Sequence, residues 1–437
     1  MTPVPLELPL RPAEAAELAN LIFDQAEGKP LTDDVRNRLA ARAAVLRLAG
    51  ITPYFGSLGR DPVHPSAYYL AVDGENEAPL LLYIALANAP TSSIFRRPLL
   101  IGRMRRHHGP EIVINAIPFG PRERENLEKF AARIDGGVLP RPQGSRGAIA
   151  VAAEPGPAFD AFRAILKRSG ENLAAVCAPP GAAVRDAYYA SLWAAIRAGW
   201  REGYAAGVEI AVAAESLESA KQTIVEAAGF TGFAIDTTSL LREPASGAGM
   251  DEQFDAFFSA EDRGWILDEF VRSFDTGGAV YELTAPDVVR LAVKFGRCLK
   301  VNEQLRENIR QTRSALRLGR AFDFGPVLGG PAHTTPREML FCLHWLKARG
   351  HAAQFAAPNL GFTPGQPYAA EPAAQLGERV KELAAIARHY QAILSVRHGS
   401  GKQAEVVQAI AKATVGRVNY QIADAGEIAF VAGGLLG

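Results

Sequence analysis

From residue 147 onward the chain repeats one pattern, a short apolar run followed by a long helical stretch. The runs are "GAIAVAA", "LAAVCA", "VEIAVAAES", "GFAIDTTS", "AFDFGPV", "AAQFAAPN", "AILSVRHGS" and "RVNYQIA". Helical stretches separate most of them, among them 184–204, 286–316, 336–349 and 378–391. Strands that alternate with helices pair in parallel, because each helix carries the chain back along the sheet. About eight such units suit a closed (β/α)₈ barrel better than an open sheet. A doubly wound sheet is the alternative. No Gly-x-Gly-x-x-Gly follows an early strand, so a dinucleotide fold has no support. Thr335 to Glu338 form a capping box with Pro336 at the first helical position, and Thr284 to Asp287 form a weaker one.

The first 147 residues read differently, as an α+β region. "PAEAAELANLIF" and "TDDVRNRLAARAAVLRLAG" have helical patterns. "SAYYLAVDGENEAPLLLYIALANA" reads as a hairpin turning at Asp73-Gly74. "EIVINAIPFG" reads as a further strand, followed by a helix over 121–134. "GGVLPRPQGSRG", 136–147, is rich in Pro and Gly and is the candidate linker. The expected division is therefore an N-terminal α+β region, 1–147, and a barrel domain, 148–437. "RRPLLIGRMRRHH", 96–108, is the most basic run and reads as a solvated turn.

Composition narrows the function. Of 437 residues, 48% are hydrophobic and 22% charged, enough for a large soluble core. Lys plus Arg equals Asp plus Glu at 47 each, which argues against bulk attraction to nucleic acid or membranes. No apolar run is long enough to span a bilayer, and the first residues lack a signal-peptide pattern. Cys177, Cys298 and Cys342 are too few and too scattered for a metal-ligand spacing. They suggest buried thiols in a reducing, cytoplasmic compartment.

A barrel carries its chemistry at the C-terminal ends of its strands. That selects Glu215 and Ser216, then Asp236, Thr237 and Thr238. It also selects Asp323, His333, Gln354 and Asn359. Glu215 or Ser216 could instead cap the following helix, and Asp236 could cap a turn. Asp323 lies inside an apolar run, facing either the interior or solvent.

The richest end is "ILSVRHGSGKQ", 393–403. It fails as a phosphate-binding P-loop, because Val396 stands at the first Gly position and Gln403 at the hydroxyl position. What survives is a strand, a Gly-rich cationic turn and a helix from about 402 to 415. The free N–H groups of such a helix start favour an anion. Arg397, His398, Ser400 and Lys402 are thus the candidate anion-binding residues, with Asn359 beside them.

The order of four stretches resembles the tagaturonate epimerase family. They are "AAESLESAKQTIVEAAGFTGFAIDTTS", "PDVVRLAVKFGRCLK", "TTPREMLFCLHWLKARG" with "FAAPNLGF", and "LSVRHGSGK". The resemblance covers 208–415. It implies a barrel and a metal-dependent enzyme of hexuronate metabolism that inverts C4 of a keto sugar acid. Asp236, Pro358, Gly399, Ser400 and Lys402 stand where the family pattern expects them. The metal ligands do not. Arg397 occupies a family His, Ser216 and Glu215 replace an Asp-His pair, and Val327 and Leu328 lie where an acidic pair is expected. Arg cannot replace neutral His as a ligand, and its fixed charge repels a cation. The expected protein is an epimerase-like barrel for a sugar acid or sugar phosphate, with its metal chemistry altered or lost. Glu215 or Asp236 would be its acid/base, and no cofactor is expected. The alternative is a non-catalytic sugar-acid binder, a pseudoenzyme or a partner subunit on the same fold.

Overall fold

A computed structural model describes residues 50–436 except 55–56, 58, 62–65, 76, 88–93, 105–110, 153–154, 170–172, 179–182 and 214–215. Before residue 50 it describes 17, 20, 24 and 32–43. Its elements form two compact units. One holds Met1–Leu139 with Leu192–Glu202, and the other holds Pro140–Ser191 with Gly203–Gly437.

The first unit is α+β. Helix α1 spans Asp33–Ala43, and most of the helix read over 12–23 lies outside the described residues. Strands β1 (Ile51–Pro53), β2 (Gly59–Arg60), β3 (Ser66–Asp73), β4 (Pro79–Leu86), β5 (Leu99–Met104) and β6 (Ile112–Pro118) form one antiparallel sheet. The order is β1-β3-β4-β6-β5, with β2 on β3. The hairpin is present, Val72 pairing with Pro79 and Ser66 with Ala85. The basic run over 96–108 is not a simple turn: its centre is β5, paired with β6 from Leu99–Ala116 to Met104–Ile112. The apolar run Leu99-Leu100-Ile101 between the arginines already carried a strand signal. Helix α2, Arg124–Arg133, follows and buries Leu127 and Phe130.

The second unit is the barrel. Its strands are β7 (Ala148–Val151), β8 (Leu173–Cys177), β9 (Tyr204–Ala211) and β10 (Gly232–Asp236). A hairpin, β11 (Ser273–Asp275) and β12 (Val280–Glu282), stands apart from them. Then come β13 (Asp323–Leu328), β14 (Phe355–Pro358), β15 (Ile393–Val396) and β16 (Val418–Ile422). The eight barrel strands close in the order β7-β8-β9-β10-β13-β14-β15-β16, and β16 pairs back to β7. Every barrel pairing is parallel. All eight apolar runs read from the sequence are barrel strands.

The helices run in chain order. They are α3 (Pro155–Ser169), α4 (Val184–Ala198), α5 (Leu217–Glu226), α6 (Ala248–Phe257), α7 (Ala260–Phe270) and α8 (Ala285–Ala315). After them come α9 (Pro336–Ala348), α10 (Ala373–His389), α11 (Ala404–Thr414) and α12 (Ile428–Leu436). The capping boxes at Thr284 and Thr335 are both complete. The excursion α6–α7–β11–β12 between β10 and α8 has no counterpart in the sequence reading. Strand β9 starts at Tyr204, four residues earlier than read. Gly199 and Gly203, both at positive φ, end α4 and release the chain into the strand.

Burial along the strands shows where the barrel core sits. Outward Ile210 and Ile235 are fully buried beneath the helices. Inward Glu209 and Ala211 are open, and inward Gly232, Ala234 and Asp236 are partly open. A barrel interior is usually filled by layers of Val, Ile and Leu. Here much of it is Ala and Gly, and it is hollow. At Gly325 the walls touch closely enough that a Cβ would lie 2.3 Å from the Phe355 carbonyl oxygen.

Candidate active site

The hollow is a cavity of about 520 Å³ running up the barrel. Its floor is set by Asp323 at the start of β13. The Asp323 carboxylate accepts hydrogen bonds from the N–H groups of Gln143 (2.5 Å) and Gly144 (3.1 Å). The linker candidate 136–147 is therefore part of the barrel floor over these residues, not a free tether. Burial outweighs those two hydrogen bonds and raises the Asp323 carboxyl above its usual range. This side chain faces inward at the end opposite the strand C-termini. Its visible work is to hold the floor.

At the mouth the barrel brings together two carboxylates and one guanidinium. Arg397 follows the end of β15, and β9 lies directly across the barrel from β15. The Arg397 side chain crosses the opening. Its Nη2 donates to Glu209 Oε1 at 2.6 Å, and Nη1 reaches Asp236 Oδ2 at 3.5 Å. Its Nε is buried with no partner. Only small inward neighbours allow a side chain to span the hollow this way.

The two carboxylates sit in different environments. Burial raises the Glu209 carboxyl, the Arg397 charge pulls it back, and Asp236 raises it again; the balance is upward. Asp236 is fixed by its own turn, Oδ1 accepting from Thr238 N at 3.0 Å and Thr238 Oγ1 at 2.7 Å. Asp236 thus caps a turn and lines up with Arg397 at once. Cys177 also lines the cavity, but burial first and Glu209 second push its thiol up to about 12, so it is an inert thiol rather than a nucleophile.

The cationic loop after β15 differs from the anion cradle read from the sequence. Lys402 is 4% exposed and gives all three protons to carbonyls, those of Thr363 (2.9 Å), Gln366 (2.5 Å) and Ser400 (3.0 Å). It ties two loops together and has no donor left for a ligand. The N–H of Gly401 is taken by the Glu427 carboxylate at 3.2 Å. Ser400 lines the cavity, but its Oγ accepts from Ala423 N at 2.6 Å. His398 lines it too, with a left-handed backbone (φ 57°) and no hydrogen bond to the described residues. Burial first, then the charges of Arg397 and Lys402, lower its pKa and favour the neutral ring.

The remaining candidates are placed elsewhere. Asn359 spends its amide on loops: Nδ2 donates to the Gly330 and Ala332 carbonyls, and Oδ1 accepts from Gly361 N. It does not line the cavity. Ser216 caps α5, accepting from Ser219 N. Glu215 lies outside the described residues. Glu209 was missed because only strand ends were considered. Its signal was present: a single carboxylate at an inward position of a small-residue strand, Ala205-x-Gly207-x-Glu209-x-Ala211.

No protein-family model matches the sequence, and no curated protein matches it. Solved structures do. The native structure of fructuronate-tagaturonate epimerase UxaE from Cohnella laeviribosi superposes with a TM-score of 0.65 at 17% identity. That match covers 88% of this chain and 74% of the epimerase. Its one-glycerol and two-glycerol complexes give TM-scores of 0.65 and 0.66 at 16% identity, over 88% of this chain and 75% of theirs. This chain has their fold. The barrel that the sequence resemblance implied is thus the barrel observed, and the epimerase likeness is one of architecture.

The resemblance also implies a divalent metal, and the described residues of this mouth do not fit one. Glu209 and Asp236 already share a guanidinium, a permanent positive charge lying between the two best oxygen donors. Among the described residues no three His, Cys, Asp or Glu side chains come together as a metal site.

Proposed function

We propose that this chain is an epimerase-like barrel that binds a sugar acid at its mouth and moves a proton on it through Glu209. The observation that carries the reading is the Glu209–Arg397–Asp236 cluster, of which Glu209 and Arg397 line a cavity of ligand size. Two carboxyl groups whose environments differ suit different tasks. Glu209, pushed upward by burial, is the proton carrier. Asp236, fixed by Thr238, is the partner that holds Arg397 in place. Arg397 keeps further N–H donors on Nη1 and Nη2, beyond its two ion pairs, for a ligand oxygen. The fold likeness to a fructuronate-tagaturonate epimerase supports a sugar acid, with a sugar phosphate as the neighbouring class. The second reading is a non-catalytic binder on the same barrel. It is supported by the guanidinium between the carboxylates, whose fixed charge disfavours a dication there.

Thermal shift across hexuronates, keto-hexonates and sugar phosphates tests binding. The expected result is a raised melting temperature with one acid class, lost in Arg397→Met. NMR of that ligand in heavy water tests chemistry. Deuterium should enter at a carbon position, and Glu209→Gln should slow this by about 10²-fold or more. Binding without exchange supports the binder. No stabilisation by any class overturns both readings.

A further inference from the structure

Below the charged mouth the cavity continues, and its two walls differ. Beneath Glu209 on β9 the inward positions are Gly207 and Ala205, and beneath Asp236 on β10 they are Ala234 and Gly232. Ala150 and Ala175 extend the same surface, packed in one cluster with Ala148 and Ala205. Directly across the barrel, β15 and β16 present Ser395, Asn419 and Gln421. A wall of methyl groups thus faces a wall of hydroxyl and amide groups. Asn419 Nδ2 donates to Ser395 Oγ at 3.2 Å, while Asn419 Oδ1 is buried with no partner.

The volume makes the same point. A cavity of about 520 Å³ is in the range that holds ligands larger than a single sugar acid. From Gly232 at the level of Asp323 to Asp236 at the rim, the strand rises about 13 Å. A sugar acid held at Arg397 leaves the deeper part unfilled.

We infer that the site takes a ligand of two parts, an acid head at the Arg397 mouth and, below it, a hydroxyl-bearing ring lying against the alanine wall and meeting Asn419. This rests on the reading of the mouth as a sugar-acid site. The ring's apolar face gains from burial on the Ala175, Ala205 and Ala234 side. Its hydroxyl faces the hydroxyl and amide groups of Ser395, Asn419 and Gln421 across the chamber. The class is therefore a ring-substituted sugar acid, such as a phenolic glycoside of a uronic acid, rather than the free acid.

Calorimetric titration with glucuronate, phenyl glucuronide, para-hydroxyphenyl glucuronide and phenyl glucoside tests it. Phenyl glucuronide should bind about tenfold more tightly than glucuronate, the scale of partial burial of one ring. The para-hydroxyl should add about three- to tenfold, the scale of one hydrogen bond. Asn419→Leu should remove the hydroxyl's gain, and Ala234→Leu, which narrows the chamber, should remove the ring's. The wild-type series decides the matter even where a variant fails to fold. If glucuronate binds and Arg397→Met weakens it, yet the aryl groups add nothing, the inference is overturned and the acid-head reading stands. If phenyl glucoside binds as well as phenyl glucuronide, the acid-head reading falls and the inference with it.

Discussion

Arg397 illustrates how one side chain changes the meaning of its neighbours. On its own it reads as an anion clamp. Across a hollow barrel it becomes the counter-ion of Glu209 and Asp236. It opposes the upward push of burial on Glu209. Arg397→Met should therefore move the Glu209 titration to higher pH, followed by carbon-detected NMR of the glutamate carboxyls. The stability consequence has a definite sign. A raised carboxyl binds its proton more tightly in the folded state, so stability falls as pH rises from the ordinary Glu range through the raised value. The variant, raised further, should lose more stability than the parent over that interval in denaturant titrations. An unmoved Glu209 would show that the guanidinium does not control it. The same residue-level accounting explains Lys402: three donors facing three carbonyls make a staple, and nothing in its place in the chain foretold those carbonyls.

At the level of elements, the barrel is closed below by a loop and not by packed side chains. The segment over 140–147 contributes two backbone N–H groups to Asp323, at the foot of β13. Asp323→Ala should leave both donors without their partner and cost about 1–3 kcal/mol in chemical denaturation. A variant as stable as the parent would mean the floor loop is held by other contacts. The long helix α8 has a comparable anchor. Arg313, 5% exposed, donates to the carbonyls of Ala228 (2.7 Å), Phe230 (2.5 Å) and Leu318 (3.1 Å). This fastens the last turns of α8 to the segment leading into β10. Both anchors use backbone partners remote in the chain, which is why neither is visible in local sequence patterns.

For the whole molecule, the hollow interior shifts the stabilising core of the barrel outward, to the layer between strands and helices. Ile149, Ile210, Phe233, Ile235 and Val396 all lie there, each at most 4% exposed. A barrel built this way gains from filling its centre. A bound ligand at hundredfold excess over its Kd should raise apparent stability by about 2.7 kcal/mol. A divalent metal should not, because Arg397 holds the place between the carboxylates. Prolonged dialysis against a chelator, and then addition of excess manganese or zinc, should leave the melting temperature unchanged. Stoichiometric metal that survives purification, and whose removal lowers the melting temperature, would contradict this arrangement. No helix among the described residues is long and apolar enough to cross a membrane.

The barrel was legible in the sequence because strand and helix periods are local properties, repeated eight times with caps such as Thr335-Pro336 marking the boundaries. Asp236 and Arg397 were legible for a related reason, since they close strands whose C-terminal ends must form the mouth. The small residues Ala148 and Ala150 on β7, Ala175 on β8, and Ala205 and Gly207 on β9 were equally on view, but their meaning needed the closed ring. Only closure turns small inward residues into a cavity, and only closure sets β9 opposite β15, so that Glu209 meets Arg397 across 188 positions of chain. Pairings of that separation depend on register and barrel geometry rather than on any local pattern. For that reason the fold and the rim were written in the sequence, while the partners of Arg397, Lys402 and Asp323 were decided by the tertiary structure.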